Sequence, residues 1–281
     1  MSHSYEDSAD FRTSRMAQVV AETWQVVSQR KREVPLAGVR ALAGMQRRTY
    51  DLLSALRNDG KVSLIAQIKR TSPDMPRSLD NYNPLTLAHR FESLGARALL
   101  VATNQQYYRG DVADLTHVSS AVQVPIIRQD FIFDEYQIVE ARAAGADAVL
   151  LIAALLEAPK LRELISITQR NRMTAMVQVA SQAEIERAVA FEPRVIAINN
   201  RDMETLAVDL DRTLHLREYI PAHMGVVSLG GLRTAEDVAY VHQARIDAIV
   251  VGQALLMAPD AAAALQELFK LTENGDVSDA R

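Results

Sequence analysis

Short apolar runs recur along the chain, and each is followed by a stretch in which apolar residues return every three or four positions. Runs that are apolar almost throughout are typical of parallel strands covered on both faces. The pattern predicts eight such strands: "VSLIAQI" from residue 62, "RALLVAT" from 97, "VPIIR" from 124, "DAVLLIA" from 147, "TAMVQVA" from 174, "RVIAIN" from 194, "MGVVSL" from 224 and "DAIVVG" from 247.

The stretches between these runs have helical periodicity, and several begin with a capping residue or end with glycine or asparagine. Examples are "NPLTLAHRFESLGA", "DEYQIVEARAAGA", "APKLRELISITQRN", "SQAEIERAVAF" and "TAEDVAYVHQA". Eight strand-then-helix units predict an α/β fold, the (β/α)8 TIM barrel. A doubly wound open sheet is the alternative, because alternation alone does not establish closure.

The first 60 residues lack this repeat. There the stretches "MAQVVAETWQVVSQRKREV" and "AGVRALAGMQRRTYDLLSALR" predict helices that precede the barrel and lie over one end of it. We therefore expect an N-terminal helical extension at 1–60, the barrel at 61–270, and a polar, frayed tail at 271–281.

Composition excludes several classes of function. The formal net charge of -4 and the lack of a long basic run argue against nucleic acid and anionic membrane surfaces as partners. With no cysteine, disulfides and thiolate chemistry are excluded, and the six histidines lack ligand-like spacing, so no metal site is expected. The polar N-terminus does not resemble a secretory signal, and no apolar run approaches membrane-spanning length, so we expect a cytoplasmic protein.

In a TIM barrel the active site lies at the carboxyl ends of the strands. Two glycine turns, "SLGGLRTAED" and "VVGQALL", follow the last two predicted strands. Small residues there let backbone N–H groups approach an anion, and a following helix N-terminus adds its dipole, so these turns predict a phosphate site. The alternative is that the glycines only make tight turns.

Other strand ends carry polar side chains. Lys69 can neutralise an anion or act as an acid, and "INNRD" at 198–202 supplies amides and a guanidinium suited to gripping a carboxylate. The alternatives are a solvated lysine and ordinary turn residues. We expect Tyr107 and Tyr108 to pack a loop on the barrel rim, and Trp24 to be a core anchor.

Four stretches also carry a family resemblance: "IKRTSP", "PIIRQDFIFDEYQIVEARAAGADAVLLIAALL", "INNRDMETLAVDL" and "VGQALLMAP". In this order and spacing, they make residues from about 60 to 260 resemble the indole-3-glycerol-phosphate synthase family. The resemblance implies a phosphorylated arylamino-ketose substrate that undergoes ring closure, decarboxylation and dehydration. It implies no metal or organic cofactor.

The resemblance also implies a set of site residues. The phosphate is expected against Lys69, Gly231, Gly252 and Gln253, and the rest of the ligand against Asn200, Arg201 and the loop bearing Ser72 and Pro73. The full predicted catalytic set is Lys69, Gln67, Gln129, Gln178 and Asn200. The predicted substrate-binding set is Ser72, Arg201, Gly230, Gly231, Gly252 and Gln253.

The chain departs from the family pattern at the positions that carry chemistry. Gln67 and Gln178 stand where the family has glutamates, and Gln129 stands where it has a catalytic lysine. Leu229 and Gly230 replace a Glu-Ser pair, and "SPDMP" replaces Ser-Pro-Ser-Lys-Gly, which changes positions 74–76. An amide forms hydrogen bonds but exchanges no proton near neutral pH.

Removing one general acid or base costs about a hundred- to ten-thousand-fold in rate. We therefore expect a divergent member that binds a phosphorylated or carboxylated aryl-amine or indole-type ligand and performs a related ring-forming or decarboxylating step, as a monomer or homodimer. Two alternatives remain on the sequence: a working synthase of tryptophan biosynthesis in which Asp130, Tyr108 or Arg128 takes over, and a non-catalytic binder of phosphorylated metabolites.

Overall fold

A computed structural model describes residues 14–58 and 60–273 of the chain. Before the barrel come α1 (Arg15–Glu33), α2 (Leu36–Gly44) and α3 (Leu52–Leu56). The first half of the barrel comprises β1 (Ser63–Ile68), α4 (Pro84–Ser93), β2 (Ala98–Ala102), α5 (Gln105–Tyr108), α6 (Val112–Ser119), β3 (Ile126–Gln129), α7 (Glu135–Ala143) and β4 (Ala148–Ile152). The second half comprises a 3-10 turn (Ala153–Leu155), α8 (Ala158–Arg170), β5 (Thr174–Val179), α9 (Gln182–Val189), β6 (Val195–Asn199), α10 (Asp211–Arg217), β7 (Gly225–Leu229), α11 (Ala235–His242), β8 (Ala248–Val251), α12 (Gln253–Leu256) and α13 (Ala261–Glu273).

All eight strands pair in parallel with their sequence neighbours, and β8 pairs with β1, so the sheet is a closed barrel. The prediction of a (β/α)8 barrel is confirmed, and the open doubly wound sheet is wrong. Each predicted apolar run contains one strand of the barrel, although β3 begins and ends slightly later than predicted. Closure satisfies the hydrogen-bonding groups of both edges, which an open sheet would leave exposed.

Side chains alternate between the barrel interior and the layer under the helices. In β6, Val195 and Ala197 belong to the buried interior cluster, whereas Ile196 and Ile198 belong to the cluster between sheet and helices. The other strands follow the same alternation. Because the period is two, the last interior side chain of each strand faces the mouth at its carboxyl end.

The N-terminal extension lies over both ends of the barrel. Leu52, Leu53 and Leu56 of α3 join the interior cluster, and Leu53 lies against Gly225 at the start of β7, so α3 closes the amino-terminal end. At the opposite end, Asn104 donates a hydrogen bond to Thr23 of α1 at 2.9 Å. The expectation that this segment covers an end of the barrel is confirmed.

The second predicted helix of the extension is broken into α2 and α3, and the reason is a buried carboxylate. Asp147 is fully buried and accepts two hydrogen bonds from the Arg47 guanidinium, at 2.8 and 3.0 Å. It also accepts from the backbone N–H groups of Tyr50 and Ile126, at 2.8 and 2.9 Å. The Tyr50 N–H therefore pairs with Asp147 and not with a helix carbonyl, and a separate helix, α3, begins after Asp51 as its N-cap.

The last helix, α13, continues to Glu273, past the predicted barrel boundary at 270. The remainder of the predicted polar tail, 274–281, lies outside the described residues, as do residues 1–13. Among the helices that the structure describes, none is both long and apolar enough to cross a membrane.

Replacing Asp147 with alanine should destabilise the protein by about 3 kcal/mol, because Arg47 and two backbone donors lose a buried acceptor together. Urea unfolding followed by circular dichroism measures this change. The control is Glu163→Ala, which removes an exposed ion pair to Lys160 and should change stability by about 1 kcal/mol or less. Equal effects of the two substitutions would contradict the role given to Asp147.

Candidate active site

A pocket opens at the carboxyl-terminal mouth of the barrel. Its floor is apolar, formed by Leu100, Leu150, Leu229 and Val250, the upper interior residues of four strands. Ten of the predicted site residues line it: Gln67, Lys69, Ser72, Gln129, Gln178, Arg201, Gly230, Gly231, Gly252 and Gln253. The predicted set is therefore brought together, with the exception of Asn200.

Two of the three glutamines form a hydrogen-bonded chain across the mouth. Gln67, near the end of β1, donates to the side-chain oxygen of Gln129 at 2.6 Å. Gln129, at the end of β3, donates in turn to the Tyr108 hydroxyl at 3.0 Å. Burial raises the pKa of the Tyr108 phenol well above its usual value. This chain positions polar atoms but offers no proton exchange near neutral pH.

The third glutamine, Gln178 of β5, lies in the same pocket. Its amide nitrogen donates to the Met203 sulfur at 3.4 Å, and sulfur is a weak acceptor. Gln178 is 6% exposed, and within the described residues its side chain has no stronger hydrogen-bond partner than this sulfur. Gln178 is therefore available to a ligand as a neutral donor and acceptor.

Charge in the pocket is concentrated in one cluster. The Asp74 carboxylate lies between two cations, 3.8 Å from Lys69 Nζ and 3.2 Å from Arg201 Nη2. It also accepts a hydrogen bond from the Ser72 hydroxyl at 2.6 Å. Asp74 lies on the loop between β1 and α4, so this loop brings its own anion to the site.

The cluster shifts two pKa values in ways that matter for chemistry. Burial lowers the pKa of the Lys69 ammonium to about 8, although the Asp74 charge opposes the fall and the Arg201 charge adds to it. Burial acts to raise the pKa of the Asp74 carboxyl, but Lys69, the Ser72 hydroxyl and Arg201 together hold it below its usual value. Lys69 is therefore suited to give or take a proton near neutral pH.

The glycine turns require glycine for steric reasons. Gly231 has φ 93°, in the left-handed region, and a Cβ there would lie 2.3 Å from a methyl group of Val208. A Cβ on Gly252 would lie 2.2 Å from the Gln67 side-chain oxygen. The capping box of Thr234 and Asp237 at the N-terminus of α11 already uses the backbone N–H groups of both residues. Arg233 instead adds a cation beside Gln253, to whose oxygen it donates at 3.3 Å.

Asn200 does not reach the pocket, contrary to the sequence expectation. Its side chain is fully buried between the strands and helix α10, where it donates to Ser228 at 2.9 Å and accepts from Thr213 at 2.7 Å. Asn199 lines the pocket in its place. The alternation along β6 accounts for this, because Val195, Ala197 and Asn199 share the interior face.

The acid proposed on sequence as a substitute is committed elsewhere. Asp130 reaches the pocket wall, but its oxygens accept from Thr103 at 2.7 Å, Arg128 at 2.9 Å and Asn104 at 3.1 Å. Arg128 is fully buried and also pairs with Glu140 at 2.8 Å. These hydrogen bonds and ion pairs hold the rim of the barrel together. They leave the Asp130 carboxylate few free lone pairs with which to accept hydrogen bonds from a substrate.

The aromatic residues differ partly from expectation. Trp24 is 43% exposed and stacks on Phe133, with ring centroids 4.3 Å apart, so it is not a core anchor. Tyr107 packs edge-on against Phe131 at 5.3 Å, as expected of a loop packed on the rim, but both tyrosines also line the pocket.

Sequence reasoning gave no site role to Asp74, Met203 and Arg233, which line the pocket, and it offered both Asn199 and Asn200 as amides at the end of β6. The alternation of side chains along β6 could have indicated Asn199, because it follows the interior residue Ala197 by two positions. Asp74 was noted only as a departure, because its partner Arg201 is remote in sequence. Met203 and Arg233 had no sequence signal.

Comparisons with known proteins identify the family of the chain. The family model described as indole-3-glycerol phosphate synthase matches residues 16–268. The chain belongs to this family. An indole-3-glycerol phosphate synthase from Albidiferax ferrireducens is 36% identical and the alignment covers 92% of this chain and 98% of the relative. One from Microcystis aeruginosa is 38% identical, with 87% of this chain and 85% of the relative covered.

Solved structures outside the indole-3-glycerol phosphate synthase family share the fold. A 3-hexulose-6-phosphate synthase from Salmonella typhimurium has a TM-score of 0.61 at 12% identity, covering 76% of this chain and 100% of that chain. An orotidine 5'-phosphate decarboxylase from Pyrococcus horikoshii has a TM-score of 0.58 at 14% identity, covering 75% and 99%. These likenesses show the barrel alone.

The lowered pKa of Lys69 can be measured directly. Competitive amine labelling, read by peptide mass spectrometry, should show Lys69 becoming reactive with a midpoint near pH 8. Asp74→Asn should move this midpoint to lower pH, because the Asp74 charge raises the Lys69 pKa. Exposed Lys160 is the internal control, since its labelling should be the same in both proteins. A midpoint that rises in the variant would contradict the cluster.

Proposed function

We propose that this indole-3-glycerol phosphate synthase family protein binds a phosphorylated aryl-amine or indole-type ligand and catalyses a ring-forming or decarboxylating step that differs from the family's ordinary reaction. The observation that carries the proposal is the neutral amide set in the pocket. Gln67, Gln129 and Gln178 lie together where the family resemblance places two glutamates and a lysine. Gln67 and Gln178 keep the length of a glutamate, and all three glutamines can form hydrogen bonds, but none exchanges a proton near neutral pH.

The ordinary reaction needs protons moved at several atoms of the substrate. Loss of a general acid or base costs about a hundred- to ten-thousand-fold in rate, and the losses are not simply additive. In this pocket the group suited to exchange a proton near neutral pH is Lys69, whose ammonium pKa is lowered by burial, while Asp74 stays ionised beside it. One such group supports a simpler reaction with fewer proton transfers, such as a single ring closure.

The glycine turns support a phosphate at one side of the pocket. Gly231 and Gly252 keep side chains away from the backbone there, and Arg233 supplies a cation next to Gln253. An oxyanion held by backbone N–H groups and a guanidinium is a common arrangement for phosphate monoesters in this fold. Within the described residues no cluster of histidine, aspartate and glutamate is arranged to hold a metal ion.

A second candidate is the ordinary synthase of tryptophan biosynthesis, a carboxy-lyase reaction. Its support is the relatives named above, which carry that name at 36–38% identity over nearly their whole length. Against it, Asp130 and Arg128 are engaged with each other and with neighbours. Growth of a tryptophan-requiring synthase-deficient strain on this gene would favour the second candidate, and failure to grow would favour the first.

Restoring the family's groups should restore the family's reaction. We expect Gln67→Glu, Gln129→Lys and Gln178→Glu, combined in one protein, to raise formation of indole-3-glycerol phosphate at least about a hundredfold over the native chain. The restored glutamate and lysine would pair directly, since Gln67 and Gln129 now lie 2.6 Å apart. Fluorescence of the indole product measures the rate.

The matched control carries the same charge changes on exposed positions: Gln169→Glu, Gln243→Glu and Gln266→Lys. It should behave as the native chain does. If the pocket variant makes no more product than this control, the interpretation of a recoded pocket is wrong. Binding without turnover of any aryl-amine phosphate by the native chain would instead identify a non-catalytic binder.

A further inference from the structure

We propose that Asp74 takes the place of a ligand carboxylate at Lys69 and Arg201, so that the natural ligand is an aryl-amine phosphate whose aromatic end bears no acidic group. This inference rests on the proposed function, and it specifies the substrate class of the same site. It assigns to Asp74 the role of a specificity-determining residue, which nothing in the sequence pattern alone suggests.

Asp74 lies between the two cations Lys69 and Arg201. Its carboxylate bridges the two cations, with one oxygen 3.8 Å from Lys69 Nζ and the other 3.2 Å from Arg201 Nη2. The side chains of all three residues are at most 16% exposed. A carboxylate between two cations in a partly buried site occupies the place that an anionic ligand group would otherwise take.

Asp74 is held in this place by its own loop. The Met75 N–H donates to the Ser72 carbonyl at 2.9 Å, which closes a turn with Asp74 inside it. The Met75 side chain is buried and anchors that turn, and the Ser72 hydroxyl donates to the carboxylate at 2.6 Å. Because the group is preorganised, displacing it from the cations requires the whole turn to move.

The cationic groups of the pocket differ in their partners. At the glycine turns, the Arg233 guanidinium lines the pocket mouth and donates to the neutral side-chain oxygen of Gln253. Asp74 already counters one of the two positive charges of Lys69 and Arg201 and occupies the position between them. A second ligand anion placed there would lie against the Asp74 carboxylate, so the pocket favours one anionic end, the phosphate.

The pocket also has walls that suit a neutral ring. Phe131, Ile152, Met203 and Leu232 present apolar or polarisable surface to the pocket, and Gln129 and Gln178 add uncharged polar atoms. An aryl ring that bears a carboxylate would have to place it among these groups or against Asp74. An aryl-amine without a carboxylate avoids both of these unfavourable placements.

The chemistry then reduces to ring closure with loss of water. A bond forms between the ring carbon next to the amine and the ketone carbon, while the ketone oxygen takes a proton from Lys69. One hydrogen from that ring carbon and one from the methylene group leave with the oxygen as water. The ring carbon gives up a proton where a carboxylated substrate would lose carbon dioxide, so no oxidant or reductant is needed.

The experiment compares two synthetic probes on the full chain: 1-phenylamino-1-deoxyribulose 5-phosphate and its 2-carboxyphenyl counterpart. Isothermal titration calorimetry should show the wild type binding the uncharged aryl probe at least about tenfold more tightly than the carboxylated probe. Asp74→Asn should improve binding of the carboxylated probe by about tenfold or more and remove or reverse the preference. Asp74→Ser should act in the same direction.

The matched control is Asp80→Asn on the same loop. Asp80 is exposed and pairs with Arg77 at 3.4 Å, away from Lys69 and Arg201, so this variant should keep the wild-type preference. Circular dichroism establishes that each variant is folded. The wild-type comparison stands by itself even if a variant is not.

The outcomes separate this inference from the proposed function. If the wild type binds the carboxylated probe as tightly as the plain one, or more tightly, Asp74 does not exclude a carboxylate and the inference is overturned, while the proposed function stands. If neither probe binds, the proposed function fails and the inference fails with it. Adding Asp74→Ser to the triple pocket variant should raise its turnover of the carboxylated substrate further, and a fall would count against the inference.

Discussion

The strict alternation of side chains along eight parallel strands is the constraint on which this molecule depends. A closed barrel has an interior that must be filled, so Ile65, Leu100 and Val227 occupy its middle and exclude water. The same alternation carries the next interior position of each strand to the carboxyl-terminal mouth. Gln67, Gln129 and Gln178 therefore converge from three different strands, and no loop is needed to bring them together.

Charged side chains have different partners at the mouth of the barrel and away from it. Beneath the rim, Arg128 forms ion pairs with Asp130 and Glu140, and at the amino-terminal end Arg47 forms an ion pair with Asp147. These buried pairs hold the extension and the strands in register, since an unpaired charge there would be costly. At the mouth, Lys69, Asp74 and Arg201 form a cluster that is only partly neutralised, and it has a lysine with a lowered pKa. Lys69 is thus the one of these three groups whose charge can change near neutral pH.

Family membership is compatible with the proposed change of chemistry, because the two depend on different residues. The barrel core, the glycine turns and the caps of the helices are set by packing and backbone geometry, and the family model matches the chain over residues 16–268. The proton-transfer positions are interior side chains whose length, rather than charge, is needed for packing at the mouth. A glutamine fills the space of a glutamate, so such a position can change its chemistry without disturbing the fold.

The sequence by itself predicted the eight strand-then-helix units, the strand positions and most of the residues around the mouth, because local periodicity and the carboxyl-end rule are short-range properties. Closure of the sheet was decided only by the pairing of β8 with β1. It did not determine where the extension breaks, since that depends on Asp147, which is distant in sequence from Arg47. It also misplaced the amide at the end of β6, although alternation could have distinguished Asn199 from Asn200. Only the tertiary structure brought Asp74 between Lys69 and Arg201, because the loop after β1 and the end of β6 meet solely across the closed barrel.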